Sequence, residues 1–231
     1  PATFATEPWR ELPENVLPAF KFFSRVAEIS NSTRVVLLSS GGTVYGSEGT
    51  LPKTESMPPC PISAYGLGKL MAEDALRFVA RTRGLRFAIL RVSNALGRWQ
   101  RSEAQGVVGV ALRAARDGIP VKLYGGGTQV RDFVDADDVA EAIYVASIDE
   151  GHPDEVWNVG SGVGVRVRDV IEIASRVIGR PILTENAPGR AVDVPHVVLD
   201  CRKIERDLNW RAKTPIEQSI LSLWQAVPLR V

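Results

Sequence analysis

The sequence predicts an α/β fold, in which helices cover both faces of a parallel sheet and a smaller α/β lobe follows towards the C-terminus. Short apolar runs at 34–39 and 87–92 are bounded by polar residues and glycine, as is typical of central strands in a parallel sheet. These runs alternate with helical patterns. After about Gly97 the alternation becomes irregular, which favours a second lobe over the carboxyl edge of the sheet, where such folds bind ligands.

The first third of the chain contains two long predicted helices. Residues 1–13 include three prolines and predict a loop, whereas the apolar positions of 14–30 predict a helix. A second helix extends from 63 to about 81, with Ser63 as its N-cap and Gly84 beyond its end. Both helices carry apolar side chains on more than one face, so we expect each to be buried on two sides.

The remaining elements follow from the same patterns. We predict strands at 121–124, 130–134, 155–159 and 181–185, and helices at 105–117, from 135 onward, at 168–179, 201–208 and 215–226. The helix that begins at Asp135 has carboxylates in its first turn, where the helix dipole favours them. The glycines at 125–127 precede no helix directly, so they predict a turn.

Composition excludes several classes of partner. The 231 residues carry a net charge of +1, which gives no electrostatic case for nucleic acid or an anionic membrane. The apolar runs are too short to span a bilayer. Cys60 and Cys201 lie far apart and are predicted to be free thiols in a reducing cytoplasm. The two histidines are isolated, so we expect no metal site.

Tyr65 and Lys69 form the motif on which the functional prediction depends. Because they are four residues apart, they lie on one face of the predicted helix. An ammonium group beside a phenol lowers its pKa, and such a tyrosine can act as general base or acid towards an alcohol. Hydride chemistry on a sugar hydroxyl needs such a group. The alternative is a chance match on an exposed helix face.

The segments on either side of this motif carry a family resemblance. Ser-Ser-Gly-Gly-Thr-Val-Tyr-Gly stands at 39–46, and Ser-Asn-Ala-Leu-Gly stands at 93–97. With the Tyr-x-x-x-Lys motif between them, the chain resembles the extended short-chain dehydrogenase/reductase family, in its nucleotide-sugar epimerase/dehydratase branch, from about Asn15 to about Leu221. The family uses NAD and nucleotide sugars, so the resemblance implies this cofactor and this substrate class.

The resemblance also implies a division into two parts. Residues 1–97 would belong to a partial Rossmann-like domain that carries the catalytic residues. Residues 98–231 would form mainly the nucleotide-sugar lobe, with segments at about 130–160 returning to the first domain. The family's glycine-rich turn for NAD lies upstream of the matched region, and no Gly-x-x-Gly-x-x-Gly is present here. We therefore expect residues 1–231 by themselves to bind NAD weakly and not to turn over.

Residue roles follow from matched positions. The resemblance implies that Tyr65 is the catalytic base and acid, and that Lys69 lowers its pKa and holds the nicotinamide ribose of NAD. Ser39 and Tyr65 are also assigned to the cofactor. The family's catalytic Ser or Thr corresponds to Gly41 here. Successive strand residues face opposite ways, so the hydroxyl of Ser40 is expected to point elsewhere.

Thr43 is the predicted substitute, as a catalytic and substrate-binding hydroxyl. The alternative is that 39–43 is merely the end of a strand. The same segment separates the family's reactions, because dehydratases and decarboxylases need a carboxylate at Gly42 or Thr43 to move a second proton. This chain has none there, which favours an epimerase.

Four further residues are assigned to the substrate. The resemblance implies that Asn94 bonds the diphosphate, and that Arg131, Arg190 and Asp193 hold the nucleotide. The guanidinium of arginine suits phosphate and ribose oxygens because its planar fork makes paired hydrogen bonds. The alternatives are a turn residue at Asn94 and solvated surface charges at the two arginines.

The sequence therefore predicts NAD-dependent epimerisation of a nucleotide sugar, at C4 of a UDP-sugar, through a transient keto-sugar. A keto-reductase or dehydratase of the same family is the alternative enzyme. A non-catalytic nucleotide-sugar-binding or dimer-forming protein is the alternative from another class. We also predict a homodimer through helices 14–30 and 63–81, because their apolar surface exceeds what one sheet face covers and because the family resemblance implies it.

Overall fold

The computed structural model describes residues 6–30, 32–100, 106–190 and 193–226. The helices are α1 (Leu17–Ile29), α2 (Ala64–Arg83), α3 (Val107–Asp117), α4 (Ala136–Ile148), α5 (Val167–Ile178), α6 (Arg202–Leu208) and α7 (Ile216–Ala226). The strands are β1 (Arg34–Ser40), β2 (Arg86–Val92), β3 (Asn94–Leu96), β4 (Val121–Tyr124), β5 (Val130–Asp135), β6 (Glu155–Val159), β7 (Gly164–Arg166) and β8 (Thr184–Ala187).

The central sheet is parallel and has helices on both faces. Its strand order is β1-β2-β6. Side chains alternate along β2: Phe87 and Ile89 pack in the cluster that includes Leu76 of α2, whereas Ala88 and Leu90 pack with residues of α4 and α6. The predicted α/β fold with a parallel sheet is therefore confirmed.

The second part of the molecule has its own core. Strands β3, β5 and β7 form one small sheet, and β4 pairs with β8 in another. Helices α3, α5 and α7 pack over them through buried apolar residues such as Leu112, Ile171 and Leu223. Strand β6 follows β3, β4 and β5 in sequence but pairs with β2 in the central sheet. The division at residue 97 stays a prediction.

The start of α2 has the local chemistry that its sequence predicts. The Ser63 hydroxyl accepts a hydrogen bond from the Gly66 amide at 3.1 Å, so it satisfies one amide of the first turn that has no partner within the helix. At the other end, Gly84 adopts a left-handed conformation with φ of 74°, which suits glycine because it has no Cβ. The cap places Tyr65 in the first turn, next to the carboxyl end of β1.

The structure differs from the prediction in a few elements. The segment before α1 is helical rather than a loop, with a 3-10 turn at Pro8–Arg10 and a wider helical turn at Leu12–Val16. The predicted strand 181–185 lies at Thr184–Ala187 instead. Strands β3 and β7 are three residues each, too short to give an alternating pattern. Residues 1–5 and Gln105 lie outside the described part of the chain.

The structure also shows the conformation of the glycine segment and the state of the two cysteines. The glycines at 125–127 form a short turn between β4 and β5, as predicted. Cys60 and Cys201 are both free thiols. Within the described ranges, no group of three or more potential metal ligands occurs, and none of the helices there combines the length and apolar character needed to cross a bilayer.

Candidate active site

One cavity of about 1450 Å³ lies between the carboxyl ends of the central strands and the second lobe. Most of the side chains that the sequence assigns to catalysis and substrate line it: Thr43, Tyr65, Asn94, Arg131, Arg190 and Asp193. They come from five separate stretches of the chain, so the fold brings together residues that are up to 150 positions apart (Thr43 to Asp193). Their roles remain proposals, but their common location agrees with one site.

Tyr65 and Lys69 lie beside each other on α2. The Lys69 ammonium is 5.7 Å from the centroid of the Tyr65 ring, and it donates a hydrogen bond to the Leu38 carbonyl at 3.0 Å. That bond ties the end of β1 to α2. The four-residue spacing thus brings the ammonium of Lys69 next to the ring of Tyr65.

Burial is the largest influence on the electrostatics of this pair. The pKa of Tyr65 is raised, first by burial and then by the negative charge of Glu11. The pKa of Lys69 is lowered by its own burial, while Glu11 opposes that change. Desolvation disfavours the charged form of each group. Burial and Glu11 therefore outweigh any lowering of the Tyr65 pKa by Lys69, and that lowering remains a prediction.

Thr43 is placed where a reacting alcohol could meet it. It lines the same cavity as Tyr65, and its hydroxyl oxygen is buried without a hydrogen-bond partner among the described residues. A buried hydroxyl without a partner is uncommon because it loses its hydrogen bonds to water. Because this oxygen is closed off from solvent, a substrate hydroxyl would satisfy it only after a rotation of the Thr43 side chain towards the cavity.

Ser40 also lines the cavity, although its hydroxyl is expected to point elsewhere. The backbone leaves the β1 ladder after Ser40 and turns, with the Val44 amide donating to the Ser40 carbonyl at 3.0 Å. Strict alternation therefore does not decide which side chains reach the cavity at this position.

Ser39 belongs to a different group of contacts. It is buried, and its hydroxyl donates to the Glu73 carboxylate at 2.5 Å. Glu73 also accepts two hydrogen bonds from Arg91, at 3.0 and 2.7 Å, and Arg91 donates to the Tyr45 hydroxyl at 3.0 Å. Because its hydroxyl is bonded to Glu73, the Ser39 side chain is not free to bond a cofactor in this conformation, and its assignment to the cofactor stays a prediction.

The far side of the cavity carries two cations and one anion. Arg190 makes a paired salt bridge with Asp193, at 2.8 and 2.9 Å, and its guanidinium lies 4.3 Å from the centroid of the Tyr124 ring. The pKa of Arg131 is lowered by burial and by the nearby Arg190, while Asp193 opposes both effects. Two guanidinium groups with one carboxylate leave a net positive charge, which suits an anionic ligand.

Asn94 lies between the two sides of the cavity. Its amide nitrogen donates to the Asp132 carbonyl at 2.9 Å, which fixes the side chain against β5. The amide group has a second N–H. Asp132 itself is buried and accepts hydrogen bonds from the Ser161 amide at 2.8 Å and the Leu199 amide at 3.2 Å. It therefore holds loops of the second lobe against β5, next to Arg131.

Sequence reasoning missed three residues of this site. Asn15 lines the cavity, and Glu11, one helical turn earlier, lies beside Tyr65 and Lys69. Their spacing of four within a helical segment was the available signal, but the prolines of 1–13 favoured a loop. Tyr124 had no signal, because its role depends on contact with the distant Arg190.

Comparisons with known proteins agree with this geometry. The family described as NAD dependent epimerase/dehydratase matches residues 10–160. A dTDP-4-dehydro-6-deoxyglucose reductase of Escherichia coli is 29% identical over 93% of this chain and 67% of its own length. A putative UDP-glucose 4-epimerase of Methanocaldococcus jannaschii is 33% identical over 81% of this chain and 60% of its own length.

A solved structure is similar throughout the fold. The UDP-glucose 4-epimerase of Thermotoga maritima, crystallised with UDP-glucose, superposes with a TM-score of 0.89 at 29% identity, over 97% of this chain and 72% of that chain. The chain spans about three fifths to two thirds of the length of the two curated relatives. Because the family match covers more than half of the chain, the chain belongs to the NAD-dependent epimerase/dehydratase family.

Proposed function

We propose that the chain acts as an NAD-dependent nucleotide-sugar epimerase, and that C4 of a UDP-sugar is the reacting centre. The observation that carries the proposal is the single cavity, which has Tyr65 and Thr43 in one part and the Arg131–Arg190 pair in another. An alcohol and a diphosphate on one substrate can occupy both parts. The likeness to the UDP-glucose 4-epimerase supports the choice of sugar nucleotide.

The two arginines bind the diphosphate in this proposal. Their charges lie close enough that Arg190 lowers the pKa of Arg131, so an anion between them relieves repulsion as well as pairing with both. Asp193 orients Arg190 through two hydrogen bonds, leaving its remaining N–H groups for phosphate or ribose oxygens. Binding energy at this end holds the sugar in place for the reaction at the other end.

Tyr65 and Thr43 act on the sugar. Tyr65 removes the proton from the reacting hydroxyl and later returns it, as a general base and then a general acid. The Thr43 hydroxyl, which has no partner among the described residues, hydrogen-bonds the same sugar oxygen. Gly42 and Thr43 stand where a second proton-transfer carboxylate would be needed for dehydration, so one alcohol is oxidised and reduced again.

Lys69 fits the nicotinamide ribose of NAD. Its ammonium has three N–H donors, and one bond, to the Leu38 carbonyl, is made within the described residues. The other two are available to ribose hydroxyls beside Tyr65. The bound NAD would supply the hydride acceptor and donor that the side chains lack.

We also propose a homodimer and a cytoplasmic location. Exposed apolar side chains lie along α1 and α2, where Phe20 and Phe78 make an edge-to-face contact at 5.9 Å. A second copy of this chain would cover them. The location rests on the two free thiols alone.

The deciding experiment assays C4 epimerisation of UDP-glucose by the full-length protein with NAD. Tyr65→Phe should abolish nearly all turnover and leave UDP affinity unchanged by calorimetry. Tyr144→Phe is the matched control, because Tyr144 is exposed on α4 and lies outside the cavity. Unchanged kcat in Tyr65→Phe would contradict the catalytic assignment. UDP binding without turnover in the wild type would favour the non-catalytic alternative.

A further inference from the structure

Glu11 is a buried carboxylate in a segment whose other charges face solvent. Its residue is 4% exposed. Its neighbours behave differently: Arg10 pairs with Glu7 at 3.1 Å and with Glu14 at 2.6 Å, both with half-exposed side chains. Carboxylates are rarely buried without a partner because they lose their hydration. The inward direction of Glu11 therefore needs an explanation.

Gly68 of α2 provides the space for this side chain. A Cβ placed on Gly68 would lie 2.2 Å from Glu11 Cγ and 2.5 Å from Glu11 Oε1. Glycine inside a helix costs about 1 kcal/mol relative to alanine. The helix accepts this cost at the position between Tyr65 and Lys69, so the carboxylate packs directly against the catalytic stretch of α2.

The carboxylate is only partly satisfied. Its Oε2 atom is buried without a hydrogen-bond partner among the described residues. The pKa of Glu11 is raised by burial, and a hydrogen bond with the Asn15 side chain and the charge of Lys69 oppose that change, while Glu14 adds to it. An unsatisfied buried oxygen costs about 1–3 kcal/mol. Such a group calls for an explanation, and a role at a site is one.

We propose that Glu11 is a positioning residue that sets the protonation of the Tyr65–Lys69 pair. Its charge acts on both: it favours the ammonium form of Lys69 and the protonated form of Tyr65. Glu11 thereby offsets part of the effect of burial on the Lys69 ammonium. Tyr65 keeps a strong tendency to return its proton, which balances the pull of the adjacent ammonium.

The consequence for Tyr65 rests on the proposed function, whereas the consequence for Lys69 does not. Epimerisation needs Tyr65 to give back the proton that it took. A tyrosine beside an ammonium alone would release protons easily and return them weakly. The carboxylate of Glu11 shifts this balance without contacting the substrate, since Glu11 is absent from the cavity lining that contains its neighbour Asn15.

The test compares Glu11→Gln, which keeps the shape and removes the charge, with Glu14→Gln, a matched change on the exposed side. Lys69 acylation by an amine-specific reagent is followed by mass spectrometry at fixed pH, with Lys21 in the same digest as reference. Glu11→Gln should label Lys69 faster than wild type, and Glu14→Gln should not. In parallel, the phenolate absorbance of Tyr65, taken as the difference from each Tyr65→Phe counterpart, should titrate at lower pH in Glu11→Gln.

A second variant separates charge from packing. Glu11→Asp keeps the negative charge and should retain slow labelling of Lys69, even where Glu11→Gln folds poorly by circular dichroism. Wild-type labelling and wild-type titration in Glu11→Gln would overturn the proposal, and so would fast labelling in a folded Glu11→Asp. Both readouts are independent of turnover, so an absence of epimerase activity would reject the proposed function and leave this inference standing.

Discussion

Leu199 occupies the space that a side chain at Gly41 would require. A Cβ on Gly41 would lie 2.6 Å from Leu199 Cδ1 and 2.9 Å from the Arg91 carbonyl oxygen. Leu199 is fully buried, and its amide is fixed by the Asp132 carboxylate at 3.2 Å. The position at which the family resemblance implies a catalytic Ser or Thr is thus filled by packing from the second lobe, whereas Thr43, like Ser40, lines the cavity with Tyr65.

The packing of Leu199 against Gly41 predicts the effect of placing a serine hydroxyl at position 41. Gly41→Ser should destabilise the protein by about 1–3 kcal/mol, because the new atoms overpack against Leu199 and a rigid carbonyl. Chemical denaturation measures the change. Gly42→Ala is the control, since the nearest atom to its Cβ would be Ser40 Oγ at 3.8 Å. Equal stability of the two variants would contradict the packing argument.

Thr43→Val should separate function from stability. The Thr43 hydroxyl is buried without a partner among the described residues, so removing it should leave the free energy of unfolding unchanged or slightly increased. Turnover should fall by about 10- to 100-fold, because a hydrogen bond to a charged sugar oxygen contributes about 1.5–3 kcal/mol. Steady-state kinetics measure the turnover, and chemical denaturation measures the free energy of unfolding. Thr43→Ser is the control and should retain activity, because it keeps the hydroxyl.

The sequence predicted the elements that have strong local patterns. Strand β1 and helix α2 with its Ser63 cap follow from residues adjacent in the chain. Ser39 and the pKa of Tyr65 could not be predicted in this way. Ser39 is committed to Glu73, 34 positions away, and the protonation of Tyr65 depends on burial and on Glu11, which reaches it only through the packing of α2.

Arg131→Ala should weaken UDP binding measured by calorimetry. Hydrogen bonds to charged groups contribute about 1.5–3 kcal/mol, so affinity should fall by roughly 10- to 100-fold. Arg206→Ala is the control, because Arg206 is exposed on α6, pairs with Asp207 and lies outside the cavity. An equal loss in both variants would show that the effect of Arg131 is general electrostatics.

The buried Glu73–Arg91 pair predicts a pH dependence of stability. Burial alone would raise the pKa of Glu73, but hydrogen bonds and charges from Arg91, Ser39 and Arg77 outweigh it, and the pKa lies below its usual value. A lowered folded-state pKa contributes stability that is present above the unfolded pKa, about 4.3, and is lost as pH falls through the folded pKa.

Glu73→Gln should therefore destabilise the protein by about 3–5 kcal/mol at neutral pH, since it leaves a buried guanidinium unpaired. Below about pH 4 its stability should fall less steeply than that of the wild type. Denaturant titrations across this range measure both effects. Glu141→Gln is the control, because Glu141 pairs with Lys213 at a largely exposed site. If stability fell with pH in parallel in Glu73→Gln and the wild type, Glu73 would not be the group responsible for the pH dependence.

The apolar surface of α1 and α2 predicts a dimer that a single charge disrupts. Leu67 and Phe22 are 50% and 58% exposed, so neither adds much to the stability of one copy. In the predicted dimer, Leu67 is buried in the interface between the two copies. Leu67→Asp should therefore weaken the dimer by about 2 kcal/mol, a roughly 30-fold higher dissociation constant, because it places an unpaired charge among apolar side chains. Light scattering at micromolar concentration measures the change. Ile148→Asp on α4, at a site 59% exposed in one copy, should leave the dimer intact. A dimer that survives Leu67→Asp would place the interface elsewhere, and a monomeric wild type would refute the dimer.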